Sequence, residues 1–119
     1  DRIDEKNGVV RIIDYKTGLV SSSNLTIKDM SLICSDPLRT KAMQLMCYVW
    51  MYHKSTKCGK ISAGIISFRN LSNGTMKLKI KNSQTGLIDS SSILSFEKEL
   101  KELISEIMDP KINFKDSET

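Results

Sequence analysis

The pattern of apolar and polar positions divides the chain into two strand pairs, each followed by a helix. Residues 1–4 and 9–16 have strand character and flank Asn7-Gly8, a dipeptide that strongly favours the turn of a β-hairpin. A stretch at 17–36 rich in Ser, Thr, Asn and Asp predicts a loop. The chain therefore opens with a hairpin and a long connection.

Two amphipathic helices follow from apolar residues that recur at steps of three and four. Asp36-Pro37 is typical of a helix start, with Asp as the N-cap and Pro at the first helical position. The first predicted helix covers about 37–54, and its apolar residues are Leu38, Ala42, Leu45, Val49 and Tyr52. The second covers about 93–108 and ends near Asp109-Pro110. Its apolar residues are Phe96, Leu100, Leu103, Ile104 and Ile107.

A second hairpin is predicted between the helices. ISAGIISFRN at 61–70 is an apolar run, Asn73-Gly74 indicates a turn, and MKLKIK at 76–81 alternates between apolar residues and lysines. The order β-β-α-β-β-α predicts the α/β (α+β) class, with a mixed β-sheet flanked by helices.

The composition adds modest constraints. The 119 residues suffice for one domain, which we place at 1–110, with a polar tail at 111–119. The chain begins without Met inside a strand pattern, so we expect it to be a piece of a longer protein. No apolar run reaches about eighteen residues, and no signal-peptide pattern is present, so we expect no membrane association and a cytoplasmic location. The net charge of +4 permits a nucleic-acid partner.

Three cysteines, Cys34, Cys47 and Cys58, lie far apart and show no CxxC spacing. An odd number of separated cysteines is typical of reduced cytosolic thiols. Together with the single His53 they do not match the usual spacing of a zinc site.

An aspartate lies far from the turn on each strand of the first hairpin. In a two-residue type I′ turn at Asn7-Gly8, Asp1 faces Asp14 in a non-hydrogen-bonded pair, with Cβ atoms about 4.5–5.5 Å apart. Lys16 emerges on the same face as Asp14. Because facing like charges destabilise a sheet, this arrangement predicts a bound divalent cation such as Mg²⁺.

Two alternatives to the metal site remain at this point. A bulge at Gly8 would shift the register and put Asp1 opposite Ile13. The second alternative is an ordinary surface hairpin whose charges are solvated, because charged strand ends are common.

Three motifs appear in order: DRID at 1–4, IIDYKTG at 12–18 and QLMCY at 44–48. Together they resemble the PD-(D/E)XK nuclease superfamily, and within it the RecB-like branch that includes the nuclease domains of RecB and AddB. The resemblance implies a restriction-endonuclease-like fold. That branch also carries a glycine before the first motif and an upstream helix with a metal-binding acidic residue or histidine. Without that helix, we expect this piece to bind metal weakly and to cleave slowly or not at all.

The resemblance also implies roles for single residues. Asp1 and Asp14 would be metal ligands, with the backbone carbonyl of Tyr15 as a further ligand, and Lys16 would be the catalytic lysine. Gln44 and Tyr48 share a helix face and would contact DNA or brace the lysine. Considered alone, Gln44 is better explained as an ordinary helix residue and Tyr48 as a half-buried core tyrosine, and only the hairpin motifs favour the functional roles.

The function implied by the resemblance is that of a Mg²⁺- or Mn²⁺-dependent deoxyribonuclease, such as an exonuclease, acting in DNA recombination and repair. Its expected partners are DNA and other domains or subunits of a helicase–nuclease type of protein, and the isolated piece could dimerise through exposed apolar surface. We expect no iron–sulfur cluster, because no cysteine follows Cys58.

Two other readings stay open. The chain could be a nuclease-like module without catalysis that binds DNA or serves as a scaffold. It could also be an unrelated β-α protein whose hairpin matches by accident. Lys77, Lys79 and Lys81 could follow a phosphate backbone, or could simply form a solvated strand face.

Overall fold

A computed structural model describes residues 2–56, 60–69, 71–81 and 86–109. Within these ranges the chain forms six strands and two α-helices. In chain order these are β1 (Arg2–Lys6), β2 (Val9–Lys16), β3 (Thr26–Ile27), α1 (Thr40–Thr56), β4 (Ile61–Ser67), β5 (Thr75–Lys77), β6 (Lys79–Ile80) and α2 (Ser90–Met108). Short 3₁₀ turns cover Ser22–Leu25, Met30–Leu32, Pro37–Arg39 and Leu71–Asn73.

The first hairpin has the predicted turn and register. Asn7 and Gly8 adopt φ values of 54° and 79°, and positive φ at both central residues defines a type I′ turn. Arg2 lies opposite Ile13, and Asp4 lies opposite Arg11. The bulged alternative is wrong, because it would have put Asp1 opposite Ile13. Asp1 itself lies outside the described residues.

The main sheet is mixed and has the strand order β1-β2-β4-β5. β2 and β4 run parallel, which requires a long crossover connection, and α1 lies within that connection. The other two pairings are antiparallel. Gly64 on β4 permits the close approach of β5, because a Cβ atom there would lie 2.8 Å from the Met76 carbonyl oxygen. The predicted mixed sheet with flanking helices is confirmed.

The second hairpin differs from the prediction, because the strand expected at 76–81 is divided. β5 pairs with β4, and the Leu78 amide donates to the Ala63 carbonyl. The chain then leaves the sheet, and β6 pairs in parallel with β3 in a separate two-stranded sheet. The stretch at 17–36 was predicted to be a loop, but it supplies β3 and two of the 3₁₀ turns.

The core lies on one face of the main sheet, between the sheet and both helices. Alternate residues of β2 and β4 enter this core, where they meet apolar residues of α1 and α2. Its fully or nearly fully buried members include Ile12, Ile61, Ile65, Leu45, Met46, Val49, Ile93 and Phe96. By strand alternation, Asp14 and Lys16 share this face with Ile12, whereas Arg11 and Tyr15 lie on the other face.

Both helices begin at capping aspartates. The Asp36 carboxylate accepts from the Leu38 amide, and one 3₁₀ turn precedes α1. The Asp89 carboxylate accepts from the Ser92 amide, so α2 begins three residues before the predicted start. The apolar residues of α2 are buried only in its first half, whereas Ile104 and Ile107 are exposed. Across the described residues, neither helix has the length and apolarity that a bilayer crossing requires.

Candidate active site

Asp14 lies near the end of β2 and is only 4% exposed. It occupies the core-facing side of the strand, opposite Ile65 of the neighbouring β4. Burial of a carboxylate is costly unless polar partners or a metal compensate for the lost hydration. Its surroundings therefore indicate whether the residue has a structural or a functional role.

Lys16 is the nearest charged partner of this carboxylate. Its Nζ lies 3.0 Å from the Asp14 Oδ2, within ion-pair distance. The angles at this contact do not meet the requirements of a hydrogen bond, and the buried Oδ2 has no hydrogen-bond donor among the described residues. The Lys16 ammonium is therefore the charged partner of Oδ2, and no further donor among the described residues contacts that oxygen.

Gln44 on α1 completes the cluster. The Lys16 Nζ donates to the Gln44 Oε1 at 3.0 Å, although the two residues are 28 positions apart in the chain. Gln44 is exposed and lies at the rim of the sheet. The tertiary fold therefore brings together three of the predicted site residues, Asp14, Lys16 and Gln44.

Tyr48 lies one helical turn after Gln44 on the same side of α1. It is half-buried and packs against the core. It also lines a largely apolar cavity of about 310 Å³ between α1 and the first hairpin. The other residues that line this cavity are Arg2, Ile3, Ile12, Ile13, Met51, Tyr52 and Ser55. Tyr48 therefore combines the predicted position next to the site with the packing expected of a core tyrosine.

Tyr15 lies between Asp14 and Lys16, and its side chain is on the opposite face of the sheet. Its ring stacks on that of Phe68, with centroids 5.9 Å apart and an angle of 9° between the planes. Sequence reasoning did not single out Phe68. The only local signal was an aromatic residue at the end of the apolar run 61–67, and the parallel pairing of β2 with β4 was needed to place it beside Tyr15.

The residues at this site fit a divalent ion in part. Among the described residues, no three acidic, histidine or cysteine side chains are grouped closely enough to hold a metal. Mg²⁺, however, is usually bound by only one or two carboxylates and keeps several waters. The buried Asp14 oxygen without a donor is a suitable ligand of this kind.

Two basic residues near the site are occupied elsewhere. Arg39 donates to the backbone carbonyls of Ser23 and Thr26 and pairs with Asp36, so it braces the loop before α1. Arg11 forms a two-pronged contact with Asp4. Neither guanidinium is directed at the carboxylate of Asp14.

Two of the three cysteines lie in the part of the chain that the structure describes. Cys34 and Cys47 are free thiols, and burial raises the pKa of both. A raised pKa keeps a thiol protonated and unreactive at neutral pH. Cys58 lies outside the described residues.

A comparison with protein families assigns this arrangement. The family model of the PD-(D/E)XK nuclease superfamily matches residues 1–119, the whole chain. The chain belongs to the PD-(D/E)XK nuclease superfamily. Asp14, Tyr15 and Lys16 follow one another in the order D-X-K, and the carboxylate and ammonium of this segment form the ion pair described above. No curated protein and no solved structure gives a significant match.

Membership in the PD-(D/E)XK superfamily has direct consequences for function. Members are typically nucleases, which hydrolyse phosphodiester bonds, and they generally use divalent metal ions. Membership therefore indicates a hydrolase with DNA as its substrate. The mixed sheet flanked by helices agrees with the restriction-endonuclease-like fold of the superfamily.

Proposed function

We propose that this protein is a Mg²⁺- or Mn²⁺-dependent DNA nuclease of the RecB-like branch, acting in recombination and repair. The observation that carries the catalytic part of the proposal is the cluster at the end of β2. There, the buried carboxylate of Asp14 lies 3.0 Å from the Lys16 ammonium, which also donates to Gln44 of α1.

In this proposal Asp14 is a metal ligand, and the Tyr15 carbonyl and Asp1 are further ligands. Each rung of the first hairpin from Lys6–Val9 to Arg2–Ile13 follows the same register. From this register we infer that Asp1 would lie opposite Asp14, as the sequence predicts. The ion, when bound, would polarise the phosphodiester and acidify the attacking water.

Lys16 and Gln44 have separate proposed tasks. The Lys16 ammonium orients the attacking water or stabilises negative charge that develops on the phosphate oxygens. Gln44 accepts a hydrogen bond from that ammonium and so restricts the position of a long, flexible side chain. Tyr48, one turn away, contacts the DNA strand.

The finer biological assignment depends on the three sequence motifs at 1–4, 12–18 and 44–48. Their order is that of RecB-like nucleases, so we propose other domains or subunits of a helicase–nuclease type as partners, and a cytoplasmic location. Residues 1–110 form the proposed nuclease core. The tail at 111–119 lies outside the described residues.

A second candidate is a nuclease-like module that binds DNA without cleaving it. The observation that favours it is that Asp14 has no second acidic side chain grouped with it among the described residues. One carboxylate alone holds a divalent ion weakly. The two candidates therefore differ in whether metal binds at Asp14.

Metal titration followed by thermal unfolding separates the two candidates. An ion that binds only the folded state stabilises it by about 2.7 kcal/mol at a concentration 100 times its Kd. We expect Mg²⁺ or Mn²⁺ to raise the melting temperature of the wild type but not that of Asp14→Asn. Asp4→Asn is the matched control, because it changes an aspartate of the same hairpin outside the cluster.

Cleavage of end-labelled DNA provides the second readout. We expect cleavage with Mg²⁺ or Mn²⁺ and none with EDTA. An equal metal-induced shift in the wild type and Asp14→Asn, or the absence of both shift and cleavage, would support the non-catalytic module.

A further inference from the structure

Tyr15 and Phe68 form an aromatic pair at the carboxyl ends of β2 and β4, on the face of β2 opposite to Asp14 and Lys16. Their rings are nearly parallel, at 9°. A pair that served only to fill the core would bury both rings, but Phe68 remains 55% exposed. Because the nearly parallel rings have centroids 5.9 Å apart, they are offset, and Tyr15 leaves part of the Phe68 ring surface uncovered.

The position of Phe68 is tied to the backbone of the candidate catalytic lysine. The Phe68 amide donates to the Lys16 carbonyl at 2.9 Å. The buried Ser67 hydroxyl donates to the Gly18 carbonyl at 2.6 Å and accepts from the Arg69 amide at 3.2 Å. These bonds hold the residues on both sides of Phe68, so the exposed ring is attached to a fixed part of the backbone.

The charge next to this pair suits a nucleic acid. Arg69 follows Phe68 and is exposed, and it has no ion-pair partner among the described residues. A free guanidinium beside an exposed aromatic face is the combination by which proteins bind single-stranded nucleic acids: the aromatic ring stacks on a base, and the cation contacts the phosphate.

We propose that the Tyr15–Phe68 pair is a stacking platform for an unpaired nucleobase of the DNA substrate, with Arg69 contacting the adjacent phosphate. This inference rests on the proposed function, because it specifies the substrate as a single strand or a frayed end. A base inside a duplex is stacked on both sides and offers no free face. Only an unpaired or terminal base can cover Phe68.

The platform is also placed to guide the strand toward the cluster. Consecutive Cα atoms are about 3.8 Å apart, so Tyr15 is separated from Asp14 and Lys16 by single backbone steps on either side. Asp14 and Lys16 project from one face of the sheet and Tyr15 from the other. A strand bound on the platform would therefore cross the carboxyl ends of β2 and β4, where ligands commonly bind to sheets with parallel strands.

Binding of a fluorescent oligothymidine to the wild type and to Phe68 variants tests this inference. The measurement is made in EDTA, so that it does not depend on cleavage. We expect Phe68→Leu, which keeps an apolar side chain but removes the π-face, to weaken binding about tenfold. Phe68→Trp should retain wild-type affinity or exceed it. Leu94→Ala is the control, because Leu94 is 64% exposed but lies on α2.

Three outcomes would overturn the platform. Wild-type affinity in Phe68→Leu is the first. The second is an equal loss of affinity for single-stranded and for blunt duplex DNA in Phe68→Leu. The third is a change in self-association, measured by sedimentation, with unchanged DNA affinity, because that result would assign the pair to a protein interface.

The outcome for the platform is separable from the outcome for the proposed nuclease. Metal-dependent cleavage by the wild type, together with unchanged binding in Phe68→Leu, leaves the nuclease proposal intact and rejects the platform. Loss of binding in Phe68→Leu in a protein that never cleaves DNA supports the platform and rejects the nuclease.

Discussion

Two aspartates of the first hairpin, Asp4 and Asp14, have basic partners but differ in burial and in the contacts of their carboxylate oxygens. Asp4 is paired across the strands with Arg11, whose Nε and one terminal nitrogen donate to its two oxygens at 2.7 and 2.8 Å, and Arg2 adds an ion pair at 3.2 Å. Asp14 is buried, its nearest ammonium is 3.0 Å away, and one of its oxygens lacks a donor.

The difference separates a structural pair from a functional candidate. A carboxylate at the surface with both oxygens bonded has no capacity left for a ligand. A buried carboxylate with an ion pair but no hydrogen-bond donor on one oxygen is unfavourable for folding, and natural proteins retain such groups mainly where function needs them. The predictions below exchange or remove the features in which the two aspartates differ.

The largest expected effect is on DNA cleavage by variants of the cluster. Removal of one group that stabilises charge in the transition state typically lowers kcat about 10²- to 10³-fold. We therefore expect losses of about this size for Asp14→Asn and Lys16→Ala. Arg11→Ala disrupts the other pair and should stay within about twofold of the wild type. Comparable losses in all three variants would remove the contrast between the two pairs.

Gln44 should have a smaller effect, since it acts through Lys16. We expect Gln44→Ala to lower kcat about tenfold, equivalent to about 1.4 kcal/mol in the activation free energy, with little change in KM. Gln44→Glu keeps an oxygen acceptor at the same distance and should recover most of the rate. If KM changes instead and Glu does not restore kcat, Gln44 contacts DNA and does not position the lysine.

In the absence of metal, substitution of the two aspartates by asparagine should change the stability of the protein in opposite directions. Asp14→Asn removes a carboxylate that is costly to bury at 4% exposure, and Lys16 keeps its bond to Gln44 and its partial exposure. We expect the free energy of unfolding of Asp14→Asn in EDTA to be about 1 kcal/mol higher than that of the wild type, as is common when a functional group is replaced by a neutral one. Asp4→Asn should lower stability, because it removes a satisfied pair. Chemical denaturation of both variants measures the two signs.

The smallest effect is the pH dependence of the Asp4 pair. The hydrogen bond from Arg11, and then its charge, hold the pKa of the Asp4 carboxyl below its ordinary value of 3.8. A depressed folded-state pKa contributes stability above the unfolded pKa, and this contribution is lost as pH falls through the folded value. Melting temperatures of the wild type and Asp4→Asn should therefore differ near neutral pH and converge below pH 3.8. A difference that persists there would mean that the pair acts through packing.

Much of the fold was predictable because its signals are local. Asn7-Gly8 predicted the turn and therefore every described rung of the hairpin, and Asp36-Pro37 predicted where the first helical segment begins. The division of the lysine-rich strand at 75–80 was not predictable in this way. Both halves have the same alternation, and only the positions of β3 and β4 determine which partner each half finds.

The sequence by itself determined that Asp14 and Lys16 share one face of a strand and that Tyr15 lies on the other, because side chains alternate along any β-strand. Only the tertiary structure decided that Gln44 reaches Lys16, that Phe68 stacks on Tyr15 and that one oxygen of Asp14 is buried without a donor. Turns, caps and alternation depend on a few neighbouring residues. Contacts across 28 or more positions depend instead on how the whole chain packs around its core.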